Sequence, residues 1–226
     1  DRSPSRGLGD VYKRQVQRNT LLKSEFPVEE ELFLVWEEMM SQAGEIVFRK
    51  REAFIREFIP IFQSFYSFIS QDKEAVGLSY ESHARDASLL EVLKQSRERD
   101  KIMGFSLRGI HKDELNMLLG EFPIKKEGSQ GQNKTYLVAL KLAQFDFLKR
   151  TGRTVPLLLL DDIFDKLDAS RVEQIVKLVG GDNFGQIFIT DTNRGHLDRI
   201  LHKVGSDYKI FRVEELSLIH ISEPTR

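Results

Sequence analysis

Apolar residues recur every three or four positions through the first half of the chain, with charged residues between them. This spacing predicts amphipathic helices, because it lines up one side of a 3.6-residue helical turn. The pattern places helices at 29–50, 51–70 and 88–101, with a polar stretch at 71–86 that we expect to be extended or looped. Pro60 lies inside the second helix, where it removes a backbone hydrogen bond and is expected to introduce a kink.

The second predicted helix carries a broad aromatic and aliphatic stripe. Stripes of this kind usually form the core between packed helices, so we assign this one to packing in preference to ligand binding. Its members are Phe54, Ile55, Phe58, Ile59, Phe62, Phe65, Tyr66 and Ile69.

After Gly109, short apolar runs alternate with amphipathic segments. This alternation is typical of an α/β fold with a mostly parallel sheet flanked by helices. The predicted elements are a helix from Lys112 or Asp113 to Leu119, a helix at 129–149, an apolar strand at 156–160, a helix at 168–179, a strand at 186–190, a helix at 194–202 and a strand at 207–213. The packed side of the 129–149 helix is expected to carry Tyr136, Leu137, Leu140, Ala143, Phe147 and Leu148.

Composition narrows the class of protein. The 226 residues are 40% hydrophobic and 31% charged, as in soluble globular chains, and no apolar run approaches the length of a membrane span. The net charge of −1 argues against binding nucleic acid by bulk charge, although a local basic patch is compatible with it. The chain has no cysteine, which excludes disulfides and thiolate metal sites and suits a reducing cytoplasm.

One nucleotide string can encode both ends of the chain. Its forward strand reads as Ser5–Gln15 and its complementary strand reads as Leu216–Arg226, eleven residues in each case. The string resembles a transposase sequencing adapter, so we interpret residues 1–15 and 216–226 as adapter-derived and 16–215 as the native segment. We expect removal of both ends to leave folding stability nearly unchanged.

Two carboxylates follow the apolar strand at 156–160. A buried parallel strand delivers its last residues to the sheet edge where α/β folds bind ligands. Asp161 there suits Mg²⁺, which prefers few carboxylates together with phosphate oxygens. Asp162 points differently and suits polarisation of an attacking water. The alternative is a strand that simply emerges into solvent.

A possible anion site precedes this strand. Ser129 is a preferred helix N-cap, the first helical N–H groups attract anions, and Gly131 permits close approach of the backbone. The alternative is an ordinary capped helix. Asp168 is similarly placed to cap the next helix. The polar residues at 190–192 end the next strand and lie beside Asp161 if the two strands are neighbours.

These motifs, taken together, resemble one family. From Gly109 to Val213 the chain is similar to the C-terminal half of the ATPase head of the RecF family, whose relatives are the SMC and ABC ATPases. The resemblance implies a helical lid or arm domain at 16–108 and the C-terminal half of an ABC-type ATPase domain at 109–215. The matching motifs are the signature Ser129-Gln130-Gly131-Gln132, the Walker B carboxylates Asp161 and Asp162, the D-loop Leu167-Asp168, the switch position Thr190-Asp191-Thr192 and the stretch Gly109-Ile110-His111-Lys112-Asp113-Glu114.

Two features depart from the family pattern. Asp162 stands where ABC proteins usually carry glutamate, and its shorter reach is compatible with slow hydrolysis. The P-loop and its lysine, which in this family lie near the N-terminus, match no part of the sequence. We therefore expect weak ATPase activity of a whole protein and none of this chain alone.

The resemblance implies a cytoplasmic, ATP-dependent DNA-binding protein of recombinational repair and replication, with ATP and Mg²⁺ as cofactors and no membrane association. It implies a homodimer that closes on ATP at single-strand/duplex junctions, works with RecO and RecR, and opens on hydrolysis. Asp161 would hold the metal, Asp162 would be catalytic, and residues 129–132 would contact the partner subunit's nucleotide. Candidate DNA contacts are Lys125, Lys126, Arg97, Arg99, Lys101 and Lys112, for which a solvated face is an equal explanation.

Two alternatives remain at this point. One is another short-armed SMC-like ATPase of the overcoming-lysogenisation nuclease type, which would need an additional carboxylate-rich domain. The other is a non-enzymatic helical adaptor in which the aspartate pair is only structural. Nucleotide-dependent dimerisation of the whole protein would exclude the adaptor.

Overall fold

Two units of structure share the chain, and each consists of two separate segments. The computed structural model describes residues 4–181, 183–192, 208–214 and 217–222. The first unit comprises Asp1–Pro60 with Gly77–Pro123, and the second comprises Ile61–Val76 with Ile124–Arg226.

The first unit contains helix α1, helix α2 as far as Pro60, helix α3 and a small sheet. Helix α1 spans Pro4–Leu22, α2 begins at Glu30 and ends at Ser70, and α3 spans Leu89–Met103. Strands β1 (Val76–Glu81), β2 (Glu114–Leu119) and β3 (Phe122–Pro123) form a sheet in the order β1–β2–β3. The core cluster consists of Val11, Met40, Val47, Leu89, Leu93 and Ile110.

Helix α2 is one element where the sequence predicted two. Its apolar stripe continues across the charged residues at 49–51, which are good helix formers and provide no break. The helix also passes through Pro60, after which the division between the two units falls. The compact units divide the chain at other positions than 108 and 109, and the predicted domain border there stays a prediction. The last ten residues of α2, Ile61–Ser70, belong with the second unit.

Helix α3 confirms the predicted helix at 88–101. Its charged residues were expected to be solvated, and this is wrong for two of them. Ser88 caps the helix by accepting a hydrogen bond from the Glu91 amide, and Gly104 ends it in the left-handed conformation. Arg97 and Asp100 are buried. Buried charges are tolerated only when they are paired, and both have partners in a cluster centred on Arg18 and Glu37.

The predicted helix from Lys112 or Asp113 to Leu119 is wrong. A short 3-10 turn, Ile110–Lys112, is followed by strand β2. Leu119 pairs with Phe122 across a two-residue turn, in which Gly120 has the left-handed φ of 60° that such hairpins favour. Pairing with neighbouring strands therefore overrides the local helical preference.

The second unit contains a parallel strand pair and the helices around it. These elements are α4 (Ile124–Glu127), α5 (Gln130–Thr151), β4 (Leu158–Asp161), α6 (Ala169–Val179) and β5 (Ile187–Thr190). Strands β4 and β5 pair in parallel, so the predicted strand–helix–strand order is confirmed. Strand β6 (Ile210–Glu214) confirms the last predicted strand and pairs antiparallel with β7 (Ser217–Ser222). The predicted helix at 194–202 lies outside the described residues.

The packed face of helix α5 is only partly the one predicted. Tyr136 and Ala143 are buried as expected, whereas Leu137 and Leu148 are exposed. The ring of Tyr136 lies 4.6 Å from that of Phe62, which together with the fully buried Tyr66 confirms the packing role of the α2 stripe here. Aromatic contacts with α2 therefore decide which side of α5 faces inward.

One face of the β4–β5 pair is bare. Leu158 and Leu160 are buried, but Leu157 and Leu159 are 61% and 70% exposed. Phe188, the partner of Leu159 in β5, is also exposed. The fully apolar strand is thus covered on one side only, and we refer to Leu157, Leu159 and Phe188 as the bare sheet face.

The N-terminal end of the chain takes part in the fold, against expectation. Residues 4–15 extend α1, and Val11 is only 5% exposed within the core cluster. Adding residues to an existing helix is favourable, and Val11 lies seven positions before Arg18, on the same helical face. The coding origin of residues 1–15 and 216–226 stays a prediction. Among the described residues, no helix is long and apolar enough to cross a membrane.

Candidate functional site

The two aspartates after β4 are held by the neighbouring strand. Asp161 and Thr190 are partners in the parallel register, and the Thr190 hydroxyl donates to Asp161 Oδ1. The Asp162 amide donates to the carbonyl and to the hydroxyl of Thr190, in both cases at 3.2 Å. Thr190 therefore lies beside Asp161, as the parallel-strand prediction required, and anchors both residues.

The loop that follows is fixed by its buried residues. Asp162 and Lys166 have left-handed φ angles of 47° and 64°, which non-glycine residues adopt only where the surroundings enforce them. Ile163 and Phe164 are buried between them, and the Leu167 amide donates to the Phe164 carbonyl at 3.3 Å. The carboxylates of Asp161 and Asp162 remain exposed on this fixed loop.

The donor set at this edge of the sheet fits Mg²⁺. Asp161 and Thr190 present carboxylate and hydroxyl oxygens, the hard ligands that this ion takes, and a magnesium site in nucleotide enzymes commonly uses one or two carboxylates with phosphate oxygens. Within the part of the chain that the structure describes, no group of three or more metal-binding side chains is present. Asp161 is therefore the residue suited to hold the ion.

The signature residues form a capped helix start. The Ser129 hydroxyl accepts from the Gln132 amide, and the Gln132 side chain accepts from the Ser129 amide at 2.8 Å, which makes a reciprocal capping box. Ser129 and Gln130 are exposed at the N-terminus of the 22-residue α5. The alternative of an ordinary capped helix is therefore confirmed in its geometry. This cap is compatible with anion binding, because the N-terminus of α5 is exposed.

Gly131 packs against the loop that bears the D-loop motif. A Cβ atom at this position would lie 3.1 Å from the carbonyl oxygen of Lys166, closer than most side chains allow. Asp168 caps α6 by accepting from the Arg171 amide at 2.9 Å, as its sequence position suggested. The signature and the D-loop are thus in contact within one chain.

Sequence reasoning missed a polar cluster next to these motifs. Glu74, in the turn after α2, accepts hydrogen bonds from Tyr66 at 2.6 Å, Gln132 at 2.9 Å and Arg171 at 2.7 Å. The other guanidinium nitrogen of Arg171 donates to the Thr135 hydroxyl at 2.7 Å. No spacing rule marks this group, because its members come from three helices and a turn, most of them distant in sequence. We call Tyr66, Glu74, Gln132, Thr135 and Arg171 the Glu74 cluster.

The charges in the Glu74 cluster are mutually stabilised. Burial alone would raise the pKa of Glu74, but hydrogen bonds from Tyr66, Gln132 and Arg171 outweigh it and hold this pKa below its ordinary value. Burial likewise favours a lower pKa for Arg171, yet the contact with Glu74 raises it. Burial and the neighbouring Glu74 raise the pKa of the Tyr66 hydroxyl. At neutral pH the cluster is therefore an ion pair with a neutral tyrosine.

The stretch at 109–114 serves to anchor the first unit. Asp113 accepts hydrogen bonds from Arg51 and from Tyr80, both at 2.6 Å. Burial, followed by the contact with Asp113, raises the pKa of Tyr80 to about 12. His111 contacts the Ser106 carbonyl through Nε2 at 3.1 Å.

The candidate DNA contacts differ in their accessibility. Lys112, Lys125, Lys126 and Arg99 are exposed. Lys101 is exposed and pairs with Glu98 at 2.8 Å. Arg97 is only 8% exposed and pairs with Glu37 at 2.6 Å. Its guanidinium is therefore not accessible to DNA, and its prediction as a DNA contact is wrong.

Comparison with known proteins gives the family. No protein-family model matches the chain. The DNA replication and repair protein RecF of Bacteroides thetaiotaomicron is 93% identical over 203 residues, covering 90% of this chain and 55% of that protein. RecF of Bacteroides fragilis strain YCH46 is 86% identical over 214 residues, covering 95% and 58%. RecF of Porphyromonas gingivalis strain ATCC 33277 is 52% identical over 205 residues, covering 90% and 56%.

Solved structures agree on the fold. The recombination mediator protein RecF-ATP of the RecFOR pathway matches with a TM-score of 0.75 at 21% identity, over 96% of this chain and 58% of that one. The corresponding RecF-ATPrS structure gives a TM-score of 0.73 over the same shares. The chain spans little more than half the length of the relatives it matches. With 93% identity over 90% of its residues, the chain belongs to the RecF family.

Proposed function

We propose that the protein to which this chain belongs binds DNA in an ATP-dependent manner during recombinational repair and replication, and that this chain supplies half of its nucleotide site. The observation that carries the proposal is the pair Asp161 and Asp162 at the end of a parallel strand, pinned by Thr190 of the neighbouring strand. Asp162 has a left-handed φ of 47°, a conformation that costs free energy and that a merely structural turn does not need.

The two aspartates have separate tasks in this proposal. Asp161 holds the Mg²⁺ of the nucleotide, and a bound ion of this kind neutralises charge on the phosphates. Asp162 accepts a hydrogen bond from the attacking water and orients it. Thr190 orients the carboxylate of Asp161 through its hydroxyl, and it holds the backbone of Asp162 by accepting from its amide.

The signature acts on the nucleotide of a second subunit. Ser129 and Gln130 are exposed at the positive end of α5, where a phosphate is attracted without any further side chain. ATP then joins two copies, each contributing Asp161 to one nucleotide and Ser129 to the other. Hydrolysis separates the copies and so limits the time that the dimer stays on DNA.

DNA and protein partners complete the proposal. The exposed Lys101, Lys112, Lys125, Lys126 and Arg99 are the remaining candidates for phosphate contacts. We place the dimer at single-strand gaps and single-strand/duplex junctions in the cytoplasm, with RecO-like and RecR-like proteins as partners. Membership in the RecF family argues against the nuclease alternative. ATP-dependent dimerisation of the whole protein would argue against the adaptor alternative.

Ser129→Arg in the whole protein tests the trans role. A bulky cation at this exposed helix start should block ATP-dependent dimerisation while the monomer keeps its ATP affinity, because binding within one subunit does not use Ser129. Sedimentation with ATP and Mg²⁺ measures the dimer, and nucleotide titration under dilute conditions measures the monomer.

Ser88→Arg is the matched control. Ser88 accepts from the amide three residues ahead, as Ser129 does, so the variant reproduces the loss of that cap contact without touching the signature. We expect it to dimerise normally. Persistent dimerisation of Ser129→Arg would reduce the motif to a helix cap and remove the support for a nucleotide sandwich.

A further inference from the structure

The Glu74 cluster joins the signature, which the proposed function places at the partner subunit, to the D-loop. We propose that Glu74 is a positioning residue that fixes the signature and the D-loop relative to each other, so that both meet the partner's nucleotide as one preformed surface. This inference rests on the proposed function and adds to it a residue from the turn after α2.

The first connection runs through the Gln132 amide. Its oxygen accepts from the Ser129 backbone amide, while its nitrogen donates to Glu74 at 2.9 Å. An ionised carboxylate can only accept hydrogen bonds, so Glu74 dictates which end of the amide faces Ser129. Glu74 therefore keeps the capping box of the signature in register.

The second connection runs through the Arg171 guanidinium. One nitrogen donates to Glu74 at 2.7 Å, and the Nε atom lies 3.2 Å from the D-loop carboxylate of Asp168. The remaining nitrogen donates to Thr135, whose hydroxyl in turn donates to the Gly131 carbonyl at 2.7 Å. A single planar group thus spans from the D-loop to the signature glycine, and Glu74 fixes its orientation.

Glu74 is itself held in place from α2. The chain leaves this helix through Gln71 and Asp72, both in the left-handed conformation, with φ angles of 57° and 56°. The Asp72 amide donates back to the Ser67 carbonyl at 2.9 Å, and Tyr66 donates to the second oxygen of Glu74. The turn therefore presents the carboxylate to Gln132 and Arg171 with little freedom.

A purely structural cluster would behave differently from a positioning one. Loss of a structural ion pair lowers the stability of the fold and affects every property that depends on folding. Loss of a positioning group leaves binding within the subunit intact and weakens only the contact made in trans. The split between these two properties is the readout.

The test uses the whole protein with Glu74→Gln, and with Glu173→Gln as matched control. Glu173 lies on α6 and pairs with Lys177 at 3.2 Å in a partly exposed contact, so the control makes the same chemical change outside the cluster. We expect Glu74→Gln to weaken ATP-dependent dimerisation roughly tenfold or more, as loss of a charge-assisted hydrogen bond implies. Monomer affinity for ATP and the control should match the wild type.

The outcomes separate the inference from the proposed function. If the wild type itself fails to dimerise with ATP, the proposed function fails and this inference fails with it. If the wild type dimerises and Glu74→Gln does so equally well, or loses monomer ATP affinity in the same proportion, the inference alone is overturned. If Glu74→Gln does not fold, Tyr66→Phe decides in its place, since it removes only the hydroxyl that holds Glu74: weaker dimerisation with unchanged monomer binding supports positioning, and wild-type dimerisation overturns it.

Discussion

At the scale of single residues, Thr190 explains why two adjacent aspartates can do different work. Its hydroxyl occupies one oxygen of Asp161, while its carbonyl and hydroxyl bind only the backbone of Asp162. The Asp162 side chain is therefore not constrained by this contact, and it can follow a water. The Asp161 side chain is oriented by it, which suits a metal ligand.

The first prediction compares Asp161→Asn with Asp162→Asn in the whole protein. Asp162→Asn should keep ATP binding and dimerisation but slow hydrolysis by a factor on the order of 10² or more, because an amide replaces the carboxylate that orients water. Asp161→Asn should act earlier and weaken Mg²⁺-dependent nucleotide binding. Steady-state turnover and nucleotide titration with and without Mg²⁺ measure the two effects, and equal, mild losses in both variants would indicate a structural pair.

A second residue-scale prediction concerns Tyr80. Its pKa of about 12 exceeds the ordinary value of 10.0, so the neutral hydroxyl stabilises the fold below pH 10 and this contribution is lost as the pH rises through about 12. Tyrosinate absorbance should show a step near pH 12 that disappears in Tyr80→Phe. Asp113→Asn should move the step towards pH 10. Because the pKa of Tyr66 is raised as well, identical wild-type and Tyr80→Phe titrations above pH 11 would contradict the contact geometry.

At the scale of elements, regular patterns were predictable and cross-element pairing was not. The strand β4, the helix α6 and the capped start of α5 each follow from local periodicity and a cap residue. Strand β2 does not, because its strand state depends on pairing within the β1–β2–β3 sheet. The motif residues were recognisable by type, whereas Glu74 acquires its meaning only from contacts with elements about sixty and a hundred positions away.

An element-scale prediction follows from the approach of α3 to α2. A Cβ atom on Gly44 would lie 2.3 Å from the Cδ2 atom of the buried Leu89. Gly44→Ala should therefore lower the free energy of unfolding, since overpacking costs about 1–3 kcal/mol and improved helix propensity returns about 1. Gly9→Ala in α1 is the control, because nothing lies within 4 Å of that position and only the propensity gain applies. Urea unfolding distinguishes them, and stabilisation of both variants would mean that Leu89 moves aside freely.

At the scale of the whole molecule, the N-terminal extension of α1 bears on what counts as part of the fold. Val11 belongs to the same core cluster as Met40 and Leu93, and Arg14 donates to the Met39 carbonyl at 2.8 Å. Whatever the origin of residues 1–15, they contribute contacts that a deletion would remove.

Val11→Ala measures that contribution. Loss of two buried methyl groups should lower the free energy of unfolding of the 226-residue chain by about 1–2 kcal/mol. Tyr12→Ala, at an exposed neighbouring position, should change it by less than about 0.5 kcal/mol. If both variants change the free energy of unfolding equally in denaturant titrations, the part of α1 before Val16 does not contribute to the stability of the core.

The bare sheet face is expected to limit the solubility and the cellular level of this polypeptide. Leu159 and Phe188 present adjoining apolar side chains on two short strands, and a pair of strands with one side open to water is only marginally stable. Such a surface attracts other copies and is the kind of region that chaperones and proteases recognise. Made by itself, the polypeptide should accumulate poorly and precipitate on concentration, and its yield should rise when another polypeptide that shields these side chains is expressed with it.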